Sequence, residues 1–274
     1  LIHGVLETGC NFLDTAQGYG DSEEIVGKAL AGCREDVVLA TKLVHCDAEK
    51  VEGAVTESLR KLQTDYIDLF IYHWPSQSLP LEPFLSELAR EQDAGRIRAI
   101  GVSNFNLAQM QVAKAYGVVS LQPPFSVVWR FAEDTFAFCR EHNIAVTPYS
   151  PLAQGLLTGR YSRGETPAPT GPRKQNALFS DQIFPQARAA AQAVDAVADR
   201  LGFTSSQVAL AWVLKTPGVT APVVGAGSLA QWQQNLGALE VELSDDDYRQ
   251  LDACGRPVWS LVDPEASMWG WRPA

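Results

Sequence analysis

The sequence predicts an α/β fold of the (β/α)8 barrel class (the TIM barrel), with the first strand missing from the chain as it stands. Short apolar runs of strand length, such as residues 37–41 and 66–72, suggest strands buried on both faces of a parallel sheet. Stretches with apolar residues three and four apart, such as residues 48–62, separate these runs and predict amphipathic helices. This alternation favours parallel strands joined by helical crossovers, and polar residues follow the strand ends, where such barrels carry their functional groups.

The same patterns place the elements along the chain. The predicted strands are residues 10–13, 37–41, 66–72, 97–102, 118–122, 144–148 and 221–224. The predicted helices are the end of one helix before residue 9, and then residues 22–31, 48–62, 81–94, 107–115, 133–142, 186–201, 204–214, a helix after residue 228 that contains Gln231 and Asn235, and residues 244–253. No linker composition or internal repeat divides these elements, so we expect residues 1–274 to form a single, N-terminally incomplete barrel domain.

The first nine residues suggest that the natural protein begins further upstream. Leu1 and Val5 have helical spacing, and Gly9 follows as a stop signal, which predicts the end of a helix whose beginning is absent. A barrel that lacked one strand would expose two sheet edges, and such edges favour aggregation. We therefore expect a longer natural chain.

Composition limits the classes of partner. The 274 residues carry a formal net charge of −10, which argues against nucleic acid or an anionic membrane surface, because both select a basic face. The five cysteines are scattered without a CxxC pair, which argues against a disulfide framework or a metal site and favours a reducing, cytoplasmic location. No apolar run reaches the roughly 18 residues that a membrane-spanning helix needs. Nothing in the sequence specifies the oligomeric state.

Four polar side chains at three predicted strand ends form the main candidate site. Asp14 ends the first strand, and Tyr19 follows five residues later in a glycine-rich turn. Lys42 ends the second strand, and His73 ends the third. A single Asp or Tyr beside glycines is usually explained by turn chemistry, so the hypothesis depends on all four meeting at the carboxyl edge of one sheet.

Together these four groups could reduce a carbonyl compound. A phenol with a pKa near 10 is a poor acid at neutral pH, but a neighbouring ammonium lowers that pKa. We expect Lys42, held by Asp14, to lower the pKa of Tyr19, which would then act as general acid in the reduction. His73 could donate a hydrogen bond to the carbonyl oxygen. The hydride must come from a cofactor, because no side chain can supply it.

Five motifs give the chain a resemblance to the aldo-keto reductases, of the bacterial type and similar to the branch that includes potassium-channel β-subunits. The motifs are residues 11–20, Ala40-Thr41-Lys42, residues 65–69 with the run to residue 73, residues 95–105, and Pro148-Tyr149-Ser150-Pro151-Leu152. The resemblance covers nearly the whole chain. It implies the same four catalytic residues and an NAD(P)H-dependent reduction of aldehydes or ketones, with a small carbonyl compound as substrate.

The resemblance also assigns residues to each part of a nicotinamide cofactor. The carboxamide would be held by Ser103, Asn104 and Gln122, and the ring would stack on Tyr149. The pyrophosphate would lie along Ser150, Leu152, Gln154 and Gly155, and the adenosine end along Gly225, Gly227, Gln231 and Asn235. A Rossmann site is not supported, because no GxGxxG motif follows a first strand. We expect the Pro- and Gly-rich loop 161–184 to fold over the cofactor.

The chain departs from this family at the adenosine end. Relatives that use NADPH commonly carry Lys or Arg in the segment that holds Gly225, Gly227 and Gln231 here, where the side chain pairs with the 2′-phosphate. Losing such charge-assisted contacts weakens discrimination against NADH. Basic residues of neighbouring loops could substitute, and the candidates are Arg173, Lys174 and Lys215. We predict that NADPH is preferred by a reduced margin and that NADH is possible.

Aromatic residues predict the character of the substrate pocket. Trp74, Phe125 and Trp129 are its expected lining, which suits aldehydes and ketones of moderate size, sugars included. Tryptophans 259, 269 and 271 of the tail could line its mouth or pack on the barrel.

Two other functional classes remain open at this point. The first is a cofactor-binding regulatory protein with little turnover, similar to a channel β-subunit. The second is a non-redox barrel enzyme that uses Asp14 and His73 as an acid–base pair, which would leave Ser103, Asn104 and Gln122 unexplained.

Overall fold

The computed structural model describes residues 1–76, 78–130, 133–164, 169, 171–262 and 267–269. These residues fall into two compact units. The first unit contains Leu1–Gln122 and Phe138–Ala145, and the second contains Pro123–Ala137 and the described part of Val146–Arg272. The sequence prediction of a single domain stays a prediction.

Parallel strands in chain order form the sheet. They are β1 (Phe12–Asp14), β2 (Val38–Leu43), β3 (Ile67–Tyr72), β4 (Ile97–Ser103) and β5 (Val118–Gln122), followed by the two-residue β6 (Ala145–Val146). The register pairs Asp14 with Ala40, Leu43 with Tyr72, and Ser103 with Gln122. Asp14, Leu43, Tyr72, Ser103 and Gln122 are the last residues of their strands. Because the strands are parallel, the residues that end or follow them share one edge of the sheet.

The helices of the first unit lie between its strands. They are α1 (Ile2–Leu6), α2 (Ser22–Ala29), α3 (Val51–Leu62), α4 (Glu82–Asp93) and α5 (Leu107–Ala113), and α6 (Glu133–Glu141) starts in the second unit and ends in the first. β2 and β3 are buried along almost their whole length, with Ala40, Phe70 and Ile71 completely inaccessible. This burial on both faces agrees with the continuous apolar runs from which the strands were predicted.

The second unit is mainly helical among its described residues. Its long helices are α7 (Phe184–Leu201), α8 (Ser205–Lys215), α9 (Leu229–Leu236) and α10 (Asp245–Trp259). The side chains of Thr204, Ser228 and Ser244 each accept a backbone N–H bond at the start of α8, α9 and α10, which satisfies a donor that the helix itself leaves unpaired. The predicted start of the last helix at Ser244, with Asp247 completing a capping box, is therefore confirmed.

Three segments differ from their predictions. Residues 221–224 form no strand, although the backbone N–H groups of Thr220 and Val223 donate to the carbonyl oxygens of Val146 and Pro148. The strand predicted at 144–148 shrinks to β6. The last helix continues past its predicted end to Trp259, through both Gly255 and Pro257.

The long loop 161–184 also holds more structure than its composition suggests. It contains two short 3-10 helices, Gly171–Gln175 and Ala177–Phe179, in its described part. Leu178 and Phe179 are buried, and the side chain of Asn176 accepts a hydrogen bond from the backbone of Leu178. The second half of the loop is therefore anchored in the second unit.

A close contact explains why α10 keeps a glycine in its interior. A Cβ atom added at Gly255 would lie 1.8 Å from the carbonyl oxygen of Val127, which no real side chain tolerates. Glycine ordinarily weakens a helix interior by about 0.5–1 kcal/mol relative to alanine. Relieving a clash in a packed interior costs more, about 1–3 kcal/mol, so the contact outweighs helix propensity here.

We expect Gly255→Ala to lower the free energy of unfolding by about 1–3 kcal/mol, because α10 and the backbone at Val127 must move apart to admit the methyl group. Gly53→Ala in α3 is the matched control, because a Cβ there meets open space, and it is expected to raise stability by up to about 1 kcal/mol. Denaturant unfolding of both variants checks this. An equal or higher stability for Gly255→Ala would contradict the contact.

Candidate active site

Asp14 and Lys42 form a buried ion pair at the carboxyl edge of the sheet. Lys42 Nζ donates to Asp14 Oδ1 and, at 2.8 Å, to the carbonyl oxygen of Thr15. The two side chains are only 1% and 10% exposed. Burial lowers the pKa of Lys42, and the negative charge of Asp14 opposes this. An ammonium this deep needs its carboxylate partner, which fixes the positions of both groups.

Tyr19 extends from the turn between β1 and α2, beside this pair. The turn is held by a backbone bond from Tyr19 to Ala16 O (3.1 Å) and by the side-chain bond from Thr15 to Ser22 (2.7 Å). Lys42 Nζ lies 5.1 Å from the centroid of the Tyr19 ring, and 52% of the tyrosine is exposed. The phenol and the ammonium are therefore neighbours, with the amine over the ring.

The pKa of Tyr19 is shifted in the direction opposite to the prediction. Partial removal of the phenol from water, and secondly the charge of Asp14, raise its pKa to about 12. The expectation that Lys42 lowers this pKa is wrong for this arrangement, because Asp14 largely neutralises the ammonium and desolvation dominates. Tyr19 is consequently a protonated phenol at neutral pH.

His73 follows β3 and faces the same group. Its backbone N–H donates to Leu43 O at 2.8 Å, and its ring meets the Tyr19 ring edge-on with centroids 5.8 Å apart. Burial, and secondly the charge of Lys42, lower the pKa of His73 to about 3. The imidazole is therefore neutral at pH 7, with one N–H donor and one acceptor. Its buried Nδ1 has no hydrogen-bond partner among the described residues.

Three polar residues link His73 to Asp14 along the sheet edge. Asn104 Nδ2 donates to the carbonyl oxygen of His73 (2.9 Å) and to Ser103 Oγ (3.0 Å). Ser103 Oγ donates to Gln122 O at 2.6 Å, and Gln122 Nε2 donates to Asp14 Oδ2 at 2.9 Å. Asn104 also adopts a left-handed backbone conformation (φ 63°), a strain common at functional sites. The residues predicted to hold a carboxamide thus form one network with three of the four predicted catalytic residues, Asp14, Lys42 and His73.

The predicted substrate-pocket residues have different surroundings. Trp74 follows His73 and is partly exposed, and its carbonyl oxygen accepts from the backbone of His45. Phe125 and Trp129 are in the second unit and are 0% and 1% exposed. Phe125 stacks on Trp212 with ring centroids 5.5 Å apart, which makes it part of that unit's core.

The tail tryptophans also differ from one another. Trp259 ends α10 and is 37% exposed, and Trp269 is partly exposed. Trp271 lies outside the described residues.

In the second unit, the segment from Tyr149 to Gly155 makes an unusual turn. Tyr149 exchanges backbone bonds with Pro123 O (2.9 Å) and Phe125 N (3.1 Å). Ser150, Ala153 and Gln154 all have left-handed φ values between 49° and 58°, although none is glycine. Gln154 Nε2 donates to Ser150 Oγ at 2.6 Å across the turn. Such successions of right- and left-handed residues turn backbone N–H groups toward one side, which suits an anion.

A cavity of about 570 Å³ lies within the second unit. It brings together residues that the sequence assigns to two parts of the cofactor: Gln154 and Gly155 with Gln231 and Asn235. Asn235 is 6% exposed, and its Nδ2 is a buried donor with no partner among the described residues. Gly225 and Gly227 do not line the cavity, and Gly227 N–H donates to Gln231 Oε1 at 2.7 Å. An unsatisfied buried donor is costly, so this cavity is suited to a ligand with a hydrogen-bond acceptor.

Three arginines also line this cavity: Arg160, Arg163 and Arg173. Arg163 pairs with Asp199 at 2.7 Å, whereas no described ion pair involves Arg173, which is exposed. Lys174 is not a lining residue, and Lys215 is held at 2.8 Å by Leu243 O and at 3.0 Å by Asp245. Of the three predicted substitutes, only Arg173 reaches the cavity.

No group of three or more His, Cys, Asp and Glu side chains among the described residues is arranged to hold a metal ion. No helix in the described part of the chain has the length and apolarity needed to cross a membrane.

The chain belongs to the Aldo/keto reductase family, whose sequence model matches residues 1–256. It is 32% identical to the aldo-keto reductase YhdN of Bacillus subtilis over 92% of this chain and 81% of the relative. It is also 32% identical to an NADH-specific methylglyoxal reductase of Escherichia coli, over 87% of this chain and 81% of the relative.

Solved structures extend the likeness to the fold. The glycerol dehydrogenase AKR11B4 from Gluconobacter oxydans matches with a TM-score of 0.84 and 31% identity, covering 97% of this chain and 87% of its own. An aldo-keto reductase from Klebsiella pneumoniae in complex with NADPH matches with a TM-score of 0.74 and 30% identity, covering 92% and 82%. These matches and the parallel strands alternating with helices confirm the predicted α/β barrel class.

Proposed function

We propose that the protein is an NAD(P)H-dependent oxidoreductase that reduces aldehydes or ketones to alcohols, with Tyr19 as general acid. The observation that carries the proposal is the cluster of four side chains at the carboxyl edge of the sheet. Asp14, Lys42 and His73 are joined through Gln122, Ser103 and Asn104 in one hydrogen-bonded network, and the ring of Tyr19 lies against Lys42 and His73. Membership of an oxidoreductase family supports the same reaction.

Each side chain has a role that its surroundings support. A reduced nicotinamide, when bound, would supply the hydride. The neutral imidazole of His73 donates an N–H bond that orients and polarises the carbonyl oxygen. Tyr19, protonated at neutral pH, gives its proton to that oxygen as negative charge develops there, because an alkoxide is a far stronger base than a phenolate. Lys42, held by Asp14, stabilises the phenolate that remains.

The first unit carries suitable groups for the nicotinamide end. Ser103, Asn104 and Gln122 offer hydroxyl and amide groups beside His73, and a carboxamide has both donors and acceptors to match them. The Oε1 atom of Gln122 makes none of the hydrogen bonds found among the described residues. We assign these three residues to the carboxamide.

The second unit carries suitable groups for the remainder of the cofactor. The left-handed turn that includes Ser150, Leu152, Gln154 and Gly155 suits the pyrophosphate, and Tyr149 before it would stack on the ring. Asn235 has the unpartnered buried donor expected of an adenine-binding residue, and Gln231 shares its cavity. Gly225 and Gly227 lie just before α9 and would approach the adenosine phosphate by their backbone.

NADPH is the proposed preferred cofactor, with a smaller margin over NADH than basic residues at positions 225–231 would give. The similarity to both an NADPH-bound reductase and an NADH-specific one is consistent with a small margin. Arg173 is the residue best suited to bind the 2′-phosphate, because it lines the cavity and has no described ion-pair partner.

We expect Arg173→Ala to raise the Kd for NADPH about tenfold and to leave the Kd for NADH unchanged, because one charge-assisted contact is lost. Fluorescence titration of both cofactors measures this. Lys174→Ala is the control, since Lys174 is a basic neighbour that does not line the cavity. An equal rise in the Kd values for NADPH and NADH would mean that Arg173 binds a part of the cofactor that both share, and not the 2′-phosphate.

The substrate is proposed to be a small carbonyl compound that contacts Trp74, the predicted lining residue beside His73 that is partly exposed. Phe125 and Trp129 are buried in the core of the second unit, and we assign them no contact with the substrate. Following NADPH absorbance with an aromatic aldehyde tests the function directly. Cofactor binding without any turnover would refute the proposed reductase activity and favour a cofactor-binding regulatory protein.

A further inference from the structure

Glu23 is a buried carboxyl that none of the catalytic steps above uses. It lies on α2 and is 1% exposed. Its Oε1 accepts two hydrogen bonds of 2.7 Å, from Thr41 Oγ1 on β2 and from Ser58 Oγ on α3. Its Oε2 is buried with no partner among the described residues. One carboxyl oxygen therefore joins three elements of the first unit.

The two hydrogen bonds of Glu23 connect it to the two segments that carry Lys42 and Tyr19. Thr41 directly precedes Lys42 on β2. Ser58 Oγ accepts a 2.7 Å bond from Gln17 Nε2, and Gln17 is two residues before Tyr19 in the turn. Gln17 also donates its backbone N–H to Lys42 O at 3.1 Å. Glu23 is thus connected to the strand that carries the ammonium and to the turn that carries the phenol.

The helix that carries Glu23 cannot easily shift. A Cβ at Gly27 of α2 would lie 2.6 Å from the backbone of Lys61 and Leu62 at the end of α3. The backbones of the two helices are therefore in direct contact, one turn away from the Glu23–Ser58 bond. Movement of α2 toward α3 would have to displace α3 as well, so the position of Glu23 is well fixed.

Stability alone does not account for a carboxyl at this position. Burying a carboxyl with one oxygen unsatisfied is unfavourable, and an apolar side chain of similar volume is often as stabilising or more so. What an apolar residue cannot do is accept hydrogen bonds from Thr41 and Ser58 at once. The feature that Glu23 adds is therefore the fixed geometry between β2 and the Tyr19 turn.

We propose that Glu23 is a positioning residue that sets the placement of the Tyr19 phenol relative to the Lys42 ammonium. The proposal rests on the proposed function, because it concerns the rate of the step in which Tyr19 gives up its proton. It predicts that Glu23 affects turnover without contacting cofactor or substrate.

The primary test compares Glu23→Ala, Glu23→Gln and the control Glu24→Ala, a neighbour on α2 with no described bond to this network. Glu23→Ala is expected to lower kcat about 10- to 100-fold, as a displacement near 1 Å does, while the Kd for NADPH measured by fluorescence stays within about twofold. Glu23→Gln keeps an acceptor oxygen and should stay within about threefold of wild type. Rates are expressed per bound NADPH, so that a smaller amount of folded protein is not mistaken for a lower kcat.

A double-mutant cycle separates positioning from a structural role. In a Tyr19→Phe background, Glu23→Ala should have almost no further effect on the residual rate, because the group that it positions is gone. A structural defect would lower the rate by the same factor in both backgrounds. That result, or a wild-type kcat for Glu23→Ala, would overturn the proposal.

Three further outcomes decide between the proposals. If Glu23→Ala fails to fold, Ser58→Ala removes the link between Glu23 and Gln17 and keeps the bond from Thr41 to Glu23. It must then show the same loss of kcat, or the proposal is wrong. If the wild type binds NADPH but turns over no carbonyl compound, the proposed function fails and this inference fails with it. If the wild type turns over and depends on Tyr19 but not on Glu23, only this inference fails.

Discussion

Replacing Tyr19 by Phe is expected to lower kcat for carbonyl reduction by about 10²- to 10⁴-fold, the range that general acid catalysis contributes. The variant keeps the aromatic ring beside His73 and removes only the proton donor. Because the pKa of Tyr19 is about 12, the wild-type phenol is protonated throughout the neutral range, so its kcat for reduction should be level there. Steady-state assays with NADPH and an aromatic aldehyde measure both.

Stability and cofactor binding should be unchanged in this variant. The Tyr19 hydroxyl makes no hydrogen bond among the described residues, and surface changes of this kind usually alter stability by less than about 0.5 kcal/mol. Tyr66→Phe is the control, because its ring stacks on Arg34 and Arg98 at the other end of β3. A Tyr19→Phe enzyme that keeps a rate close to wild type would refute the role of Tyr19.

Replacing Lys42 by Met is expected to damage both activity and stability. Removing one preorganised charge typically costs about 10²- to 10³-fold in kcat. The change also leaves Asp14, only 10% exposed, as a buried carboxylate without its cation, which costs about 3–5 kcal/mol of folding stability. Activity assays and denaturant unfolding measure the two effects separately.

A double variant distinguishes these two effects. Asp14→Asn combined with Lys42→Met removes the unpaired charge, and the amide oxygen can still accept from Gln122. We expect stability to recover in large part while activity stays low. Recovery of both would mean that Lys42 acts only by neutralising Asp14, and that the phenol does not depend on the ammonium.

The sequence predicted most of what depends on local pattern. Apolar runs located β1 to β5, and the polar residues at their ends predicted that Asp14, Lys42 and His73 share one edge, which the parallel register explains. The caps at Thr204 and Ser244 were equally visible, because a cap is determined by residues three apart.

What the sequence could not predict depends on which surfaces come together. Glu23 follows Ser22 in a run typical of an exposed first helical turn, and only packing against α3 buries it. The raised pKa of Tyr19 results mainly from desolvation in the folded protein, which the pattern of residues in the sequence does not reveal. The sequence predicts that the last helix ends at residue 253, but α10 continues to Trp259, and Gly255 in its interior fits closely against Val127.

The hydrogen bond between Gln122 and Asp14 has a consequence for how the first unit acquires its activity. Its partners are 108 positions apart in sequence, one on the first strand and one on the fifth. Contacts of such long range form only after the intervening chain has been ordered, and they slow folding. A nascent or partly refolded chain without its fifth strand therefore holds the Asp14 carboxylate by Lys42 alone, without the bond from Gln122. If the proposed function holds, full catalytic competence is acquired late, when the fifth strand has joined the sheet.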